Sequence, residues 1–409
     1  MNKIPEILAP AGDIEKLKTA LEFGADAVYF GLPDFSLRAR INKFDKEEIR
    51  QGAQICRKKN KKFYVTLNIY AHNKHIEELP KHLNFLKEID PDGIILSDPG
   101  VLSLVKKYLP KTAIHISTQA NVINKEAAKF WRDQGAQRII LARELTFSEI
   151  TEIKKAVPEL ELEIFVHGAM CMAYSGRCIL SKWMTGRSAN LGDCAQPCRW
   201  KYHPLKETFV DDKNRFELKT EQDSSGTFIF NSYDINLIRH LNEISEAGVD
   251  SLKIEGRGKS AYYVGCAVRA YRKALDAVFN QSPEEAEKIV AQQDEELKKL
   301  SHRGYWTGFL LGEEPPHLID QASKSSPFLY VGISLDRKDS SVRNVFVHNA
   351  VKINSEVEII TPEEIFAGKP LEIRDEKNEI VNSAHGGAGK IFEIKFDRKI
   401  KGPFLLRSF

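Results

Sequence analysis

Short apolar runs alternate with amphipathic stretches along the first two-thirds of the chain. The runs have the length and residue types of buried strands, and the stretches have the period of surface helices. Helical stretches include Asp13–Gly24, Asp45–Asn60 and Ser148–Ala156. The predicted strands are Glu6–Pro10, Ala27–Gly31, Lys62–Ile69, Gly93–Ser97, Ala113–Ser117, Arg138–Ala142, Glu161–His167 and Ser251–Glu255. This alternation indicates parallel strands.

The number of strands and a weak internal repeat favour a closed barrel over an open sheet. Four segments, residues 24–31, 92–98, 135–142 and 248–255, each end a helix on a small or turn residue and then enter a strand. They fall on the second, fourth, sixth and eighth strands. We therefore predict an α/β fold with a TIM-like (β/α)8 barrel. An open, doubly wound sheet is the alternative.

Beyond the eighth unit the pattern changes to all-β. A charged helix is predicted over Pro283–Leu300, and a loop follows it. The later strands are Phe328–Leu335, Arg343–Val347, Ser355–Ile360, Leu371–Arg374, Lys390–Phe396 and Phe404–Arg407. We interpret residues 1–280 as a catalytic barrel with a cysteine-rich insertion at 168–233, 281–326 as a helix and linker, and 327–409 as a small C-terminal β-barrel.

The charge balance limits how the chain could meet nucleic acid. It has 60 Lys and Arg against 57 Asp and Glu, a net charge of +3, so any contact with nucleic acid needs a local basic patch. Such a patch is present in the C-terminal unit and comprises Lys352, Lys369, Lys390, Lys395, Arg398, Lys399 and Lys401. A solvated lysine face explains these residues as well as RNA contact does.

The N-terminal residues lead straight into the first strand, without a signal-peptide pattern. No apolar run approaches the roughly 20 residues that a membrane-spanning helix needs. We therefore expect a cytoplasmic protein with no membrane contact. In that compartment the six cysteines are not expected to form structural disulfides.

Four of the cysteines lie within a 28-residue part of the insertion, which separates the seventh strand from a helix predicted to begin near Asp234. Cys171, Cys178, Cys194 and Cys198 are separated by six, fifteen and three residues. Four thiolates can hold a [4Fe–4S] cluster or a zinc ion, and the spacing only modestly favours iron–sulfur. Incidental free thiols are the plain alternative. Cys56 and Cys266 lie in helical patterns and are expected to pack in the core.

Polar side chains collect at the C-terminal ends of the predicted strands, where a barrel places its active site. We expect catalytic roles for His167, Arg143, Glu255 and Arg257. We expect substrate-binding roles for Arg38, Arg40, Asn68, Asp98, Gln119 and Asn121. Each could instead be a cap or rim residue. The four arginines suggest an anionic substrate, and His167 could move protons near neutral pH. Lys253 and Glu255 are expected to pair if their face of the strand is interior.

Seven segments of the chain resemble the collagenase-like peptidases of family U32. They are residues 5–12 (PEILAPAG), 97–100 (SDPG), 117–121 (STQAN), 163–181 (EIFVHGAMCMAYSGRCILS), 192–200 (GDCAQPCRW), 253–257 (KIEGR) and 302–305 (HRGY). The resemblance covers essentially the whole chain, including the C-terminal unit.

This resemblance implies a specific chemistry. It implies a [4Fe–4S] cluster held by the four clustered cysteines, and oxygen-independent, prephenate-dependent hydroxylation of the wobble uridine of tRNA to 5-hydroxyuridine. Other members of the family hydroxylate a ribosomal RNA cytidine or a ubiquinone precursor. Prephenate is a small dicarboxylate, so the arginines listed above would suit it as a co-substrate. The tRNA partner would be bound at its anticodon loop.

Two other classes of function remain open. A peptidase is the activity that the family's older name describes, but the chain has neither a His-Glu-x-x-His nor a Gly-x-Ser-x-Gly motif. A Cys171 nucleophile with His167 as base is conceivable. The third possibility is a binding subunit whose activity comes from an accessory or homo-oligomeric partner.

Overall fold

Eight parallel strands close into a barrel. The computed structural model describes residues 3–37, 44–171, 173–200, 232–313, 326–387 and 390–408, and the backbone of 209–210 and 217–218. The barrel strands are Glu6–Pro10, Ala27–Gly31, Lys62–Leu67, Gly93–Leu96, Ala113–Ile116, Arg138–Ile140, Glu161–Ala169 and Ser251–Ile254. The eighth strand pairs with both the first and the seventh, since Ser251 lies beside Glu6 and Glu163. The predicted barrel is confirmed, and the open-sheet alternative is wrong.

Helices cover the outside of this barrel. They are Ile14–Glu22, Lys46–Lys58, Asn73–Ile89, Pro99–Tyr108, Lys125–Asp133, Phe147–Ala156, Leu241–Glu246 and Ala261–Asn280. Several begin at a short polar residue whose side chain accepts a backbone N–H three residues further on, as Asp13, Asp45 and Thr146 do. Each such cap satisfies a donor that the helix leaves unpaired. The helices therefore begin where the sequence supplies a cap.

A charged network fills the lower part of the barrel interior. Arg138 is 2% exposed and donates to Glu6 (2.7 Å), Glu161 (2.6 Å) and Glu163 (3.0 Å). Lys253 donates to the other oxygen of Glu163 at 2.7 Å. The expected pairing of Lys253 with Glu255 is therefore wrong, because the lysine meets the glutamate of the neighbouring strand. Buried charges are tolerated only when paired in this way.

The C-terminal unit is a curled antiparallel sheet that forms a half-barrel. In spatial order its strands are Ile365–Gly368, Val357–Ile360, Phe404–Ser408, Leu329–Ser334, Asp339–Val347, Ile391–Lys401 and Pro370–Arg374. It has a hydrophobic core of its own that includes Val345, Ile359 and Phe396. The strand Ile365–Gly368 was not predicted from the sequence. It lies at the edge of the sheet and pairs on one side only.

One element of the insertion differs from the prediction. Asp234–Asn236 forms a strand rather than the start of a helix, and the helix begins at Leu241. The strand runs antiparallel to the end of the seventh barrel strand, with Asn236 beside His167. Pairing with this extended strand end outweighs the local helical pattern. Among the helices that the structure describes, none is long and apolar enough to cross a membrane.

Candidate active site

A cavity of about 320 Å³ lies at the C-terminal ends of the barrel strands, beneath the cysteine-rich insertion. Tyr29, Asn68 and Phe165 line it from the barrel, and Tyr174 and Cys194 line it from the insertion. This is the end at which (β/α)8 barrels bind their substrates. The insertion therefore forms part of the cavity wall.

The insertion is folded by hydrogen bonds among its own residues. The Ser181 hydroxyl donates to the Arg187 carbonyl at 2.8 Å and accepts the Ala195 N–H at 2.9 Å. Arg187 also pairs with Asp193 at 2.9 Å. These bonds fold the residues between the first and second cysteine pairs onto one another. Cysteines far apart in sequence are thereby brought to the same cavity.

Hydrogen bonds tie the insertion to the barrel. The Glu144 carboxylate accepts the Ser175 N–H at 2.7 Å. The Tyr70 hydroxyl donates to the Gly176 carbonyl, and the Tyr70 N–H donates to Asn190 at 2.9 Å. The loops after the third and sixth barrel strands therefore hold the insertion in place.

All four clustered cysteines line the cavity. Cys171 is exposed, and the other three are half-buried. Burial raises the pKa of Cys198, and the neighbouring Cys171 and Cys194 raise it further. The Gln196 N–H donates to the Cys194 sulfur at 3.4 Å. The structure thus places the four thiols on one cavity, and their role as metal ligands stays a prediction.

The donor set fits an iron–sulfur cluster. Four thiols on one cavity, with a backbone N–H directed at a sulfur, are the ligands and the outer contact that such clusters use. Within the described ranges, no three His, Cys, Asp or Glu side chains lie close enough to share one metal ion. Four thiols also suit a tetrahedral zinc ion, so zinc stays the alternative to the cluster.

Basic groups face the same cavity from the barrel. The Arg143 guanidinium lies 4.0 Å from the centre of the Phe165 ring, and its Nε is buried without a hydrogen-bond partner among the described residues. Lys253 lies 4.4 Å from the centre of the Tyr29 ring, and burial lowers its pKa. A buried donor without a partner needs an explanation, and an anion bound in the cavity is one. Together these groups make the cavity suited to an anion.

The structure brings half of the ten predicted polar residues to the cavity. Arg143, Glu255, Arg257, Asn68 and Gln119 line it. Arg257 donates to the Ser36 hydroxyl and to the Leu37 carbonyl, each at 2.6 Å. Asn68 accepts the Leu37 N–H at 3.2 Å and donates to Ser117 at 3.2 Å.

Asp98 and Asn121 are not among the described residues that line the cavity. Asp98 caps the helix Pro99–Tyr108 by accepting the Val101 N–H at 3.0 Å, which is the plain role that its position allowed. Asn121 adopts a left-handed conformation, with φ 53°, at the end of a short 3₁₀ turn. Arg38 and Arg40 lie outside the described residues.

His167 faces away from the cavity. The pairing of the seventh and eighth strands shifts at Val166, so that Phe165 lies beside Lys253 but His167 lies beside Ile254. A single extra residue turns the following side chain to the other face of a strand. His167 is 1% exposed, and burial lowers its pKa to about 3. The expected role of His167 in proton transfer stays a prediction. Its buried position, facing away from the cavity, does not favour that role.

His167 instead packs among tyrosine rings behind the barrel wall. The ring centres of Tyr263, Tyr271 and Tyr305 lie 5.7, 5.6 and 5.4 Å from that of His167. Neither of its ring nitrogens has a hydrogen-bond partner among the described residues. The Cys171–His167 dyad that a cysteine peptidase would need is therefore not formed in this structure.

Sequence reasoning did not assign several residues to the site. Tyr29, Thr66, Phe165, Ser117 and Arg199 line the cavity. The signal was available in the alternation along each strand, because Phe165 and Thr66 lie two residues from Glu163 and Asn68 on the same face. Arg199 lies in the insertion, where no strand period applies.

Gly168 offers a test of how closely the seventh strand meets the eighth. A Cβ there would lie 2.6 Å from the Glu255 carbonyl oxygen, and its φ is 101°. We expect Gly168→Ala to lower the free energy of unfolding by about 1–3 kcal/mol through overpacking, in addition to the cost of the positive φ. Gly186→Ala is the matched control, since its φ is 72° with nothing within 4 Å. Thermal unfolding should show the larger loss for Gly168→Ala; equal losses would contradict the clash.

The chain belongs to Peptidase family U32, whose family model matches residues 12–320. It is 38% identical over 414 residues to tRNA hydroxylation protein P1 of Bacillus subtilis, covering 100% of this chain and 96% of that protein. It is 36% identical over 447 residues to tRNA hydroxylation protein P of Haemophilus influenzae, covering 99% and 96%. A 5-hydroxycytidine synthase of 23S ribosomal RNA from Escherichia coli is 37% identical over 276 residues, covering 68% and 40%.

Proposed function

We propose that this protein is an RNA-hydroxylating enzyme that converts the wobble uridine of tRNA to 5-hydroxyuridine. The observation that carries the proposal is the convergence of four thiols and three basic side chains, those of Arg143, Lys253 and Arg257, on one cavity. The near full-length similarity to proteins named for tRNA hydroxylation supports it. A cytoplasmic location is part of the same proposal.

We further propose that the four cavity cysteines hold a [4Fe–4S] cluster. When bound, such a cluster supplies one-electron redox chemistry, with a potential tuned by hydrogen bonds to its sulfurs. The residues that this chain contributes are the thiols themselves and the Gln196 N–H that donates to Cys194. The hydrogen bonds of Ser181 described above keep the second cysteine pair near the first.

The basic side chains would hold a small dicarboxylate, and we propose prephenate as the co-substrate. Arg143 and Lys253 lie over the Phe165 ring, at 4.0 and 5.5 Å from its centre. A carboxylate placed there would meet two cations beside an aromatic surface. Arg257 is held in position by its bonds to Ser36 and Leu37. These residues would bind and orient the co-substrate and keep water from it.

The target base can enter this cavity only when it is not stacked within an RNA helix. Bases in an anticodon loop are unstacked at low cost, and enzymes that modify a base take it into a pocket. Tyr29 and Phe165 give the cavity aromatic surface against which a uracil ring could lie. Seven basic side chains of the C-terminal unit are exposed, and we propose that they contact the body of the tRNA; they are those of Lys352, Lys369, Lys390, Lys395, Arg398, Lys399 and Lys401.

Nucleoside analysis tests the proposal directly. The gene would be expressed in cells that lack their own wobble-uridine hydroxylase, and digested tRNA and ribosomal RNA would be analysed by mass spectrometry. We expect 5-hydroxyuridine or its derivatives in tRNA. Soluble protein without this product would contradict the tRNA proposal. A hydroxylated cytidine in ribosomal RNA would instead point to the activity for which the Escherichia coli relative is named.

Arg143 provides a test of the carboxylate site. Arg143→Gln should raise the KM for prephenate by about tenfold to a hundredfold, since it removes one charge-assisted hydrogen bond. Iron content should not change, because Arg143 is not among the thiol ligands. Arg50→Gln, on the solvent-facing side of the helix Lys46–Lys58, is the control and should behave as wild type. Initial rates against prephenate concentration give the answer; an unchanged KM would remove Arg143 from the site.

A further inference from the structure

The insertion presents large apolar side chains to solvent beside the cavity. Tyr174, Ile179 and Trp183 are 60, 73 and 79% exposed, and Trp200 is 41% exposed. We call Tyr174, Trp183 and Trp200, together with the aliphatic Ile179, the aromatic rim. Exposure of this extent is unusual for tryptophan, and clustered exposed apolar groups mark binding surfaces. Packing against the residues that the structure describes does not account for their exposure.

The same segment carries a local excess of positive charge. Residues 171–200 contain Arg177, Lys182, Arg187 and Arg199 against a single acidic residue, Asp193. Arg187 is paired with Asp193. Arg177 and Lys182 are exposed, and neither has a carboxylate partner among the described residues. The aromatic rim is thus accompanied by cations that remain available to an anionic partner.

The aromatic rim is continuous with the cavity. Tyr174 lines the cavity wall, as does Leu180, the first residue of the short helix that carries Trp183. The indole N–H of Trp200 already donates to the Ala195 carbonyl at 3.1 Å. This bond fixes the orientation of the Trp200 indole, and its ring is partly exposed to solvent. A partner bound at the rim would therefore extend into the cavity.

We infer that the aromatic rim binds the unpaired nucleotides that flank the target base, which deepens the proposed function and rests on it. Trp183 and Trp200 would stack on bases, and Arg177 and Lys182 would contact the phosphates. Single-stranded RNA is recognised by this combination of aromatic rings and cations. A protein partner would not need the cations, so RNA fits the surface better.

Trp183→Ala tests the inference in a binding assay that needs no turnover. A labelled anticodon stem–loop RNA would be titrated with the cluster-loaded protein, and fluorescence anisotropy would be recorded. Loss of one stacking contact should weaken binding by about tenfold. Trp183→Phe retains a stacking ring and should keep most of the affinity. Phe130→Ala is the matched control, because Phe130 is 55% exposed on the helix Lys125–Asp133.

A second variant tests the phosphate contacts. Replacing Arg177 and Lys182 together by glutamine should lower the slope of log affinity against log salt by about one to two. An unchanged slope together with unchanged affinity of Trp183→Ala would overturn the inference. So would an altered oligomeric state of Trp183→Ala at wild-type RNA affinity, which would assign the rim to protein contact.

The binding assay also separates this inference from the proposed reaction. If Trp183→Ala formed product at the wild-type rate with an unchanged KM for tRNA, RNA binding by the aromatic rim would be contradicted. The proposed hydroxylase activity would not be affected by that result. If the wild-type protein bound RNA in a Trp183-dependent way but formed no hydroxylated uridine, RNA binding by the aromatic rim would be supported. The proposed hydroxylation reaction would be contradicted.

Discussion

Replacing Cys178 with alanine should abolish 5-hydroxyuridine formation and remove the iron from the protein. Cys178 is one of four thiols on the cavity, and a [4Fe–4S] cluster with full protein ligation needs all four. The measurements are the modified nucleosides of tRNA and the iron content and visible absorption of anaerobically purified protein. Both signals should fall to background together.

Cys56→Ala is the matched control for this experiment. Cys56 is buried in the helix Lys46–Lys58 and does not line the cavity. Burial raises its pKa to about 12, so its thiol stays protonated at neutral pH. Its replacement should leave iron and product unchanged. Full product from an iron-free Cys178→Ala variant would contradict a role of the cluster in the reaction. Loss of product in both variants would indicate a folding defect.

Replacing Arg138 with methionine should lower the free energy of unfolding by about 3–5 kcal/mol. The substitution leaves three carboxylates, those of Glu6, Glu161 and Glu163, with Lys253 as the one buried counter-charge among the described residues. Glu163 is fully buried and cannot regain contact with water. Urea unfolding at neutral pH, followed by circular dichroism, measures the loss.

Arg132→Met controls for the loss of an arginine as such. Arg132 makes ion pairs with Asp133 and Glu159 on the surface, where water and salt screen such pairs and they contribute little to stability. The two variants lose the same side chain and differ in burial. Similar stabilities for the two variants would mean that water reaches the charged network around Arg138. The burial of that network would then be contradicted.

The barrel could be predicted closely from the sequence because its strands are buried on both faces. Such strands read as continuous apolar runs bounded by polar turns, so each predicted start coincides with the observed one, from Glu6 to Ser251. Asp234–Asn236 was missed because it is a three-residue strand that forms between the end of the seventh strand and Tyr305–Trp306. Both pairing partners lie more than sixty residues away in sequence, so the local residue pattern does not indicate them.

The site was predictable in its composition and less so in its geometry. The clustering of the cysteines indicated that they meet, and the strand-end rule correctly placed Arg143, Glu255 and Arg257. Asp98 was misplaced because strand ends are also helix starts, and a cap satisfies the same residue preference. His167 was misplaced because the shift at Val166 depends on pairing between strands.

The position of Phe404–Ser408 in the C-terminal sheet has a consequence for synthesis of the protein. This strand pairs with Leu329–Ser334 on one side and Val357–Ile360 on the other, so it joins two parts of the sheet. The barrel, in contrast, can close once Ser251–Ile254 has left the ribosome. A nascent chain would therefore carry a complete barrel while its last sheet still lacks a central strand. During this interval the sheet offers two unpaired strands, which is when it would be most vulnerable to aggregation and proteolysis.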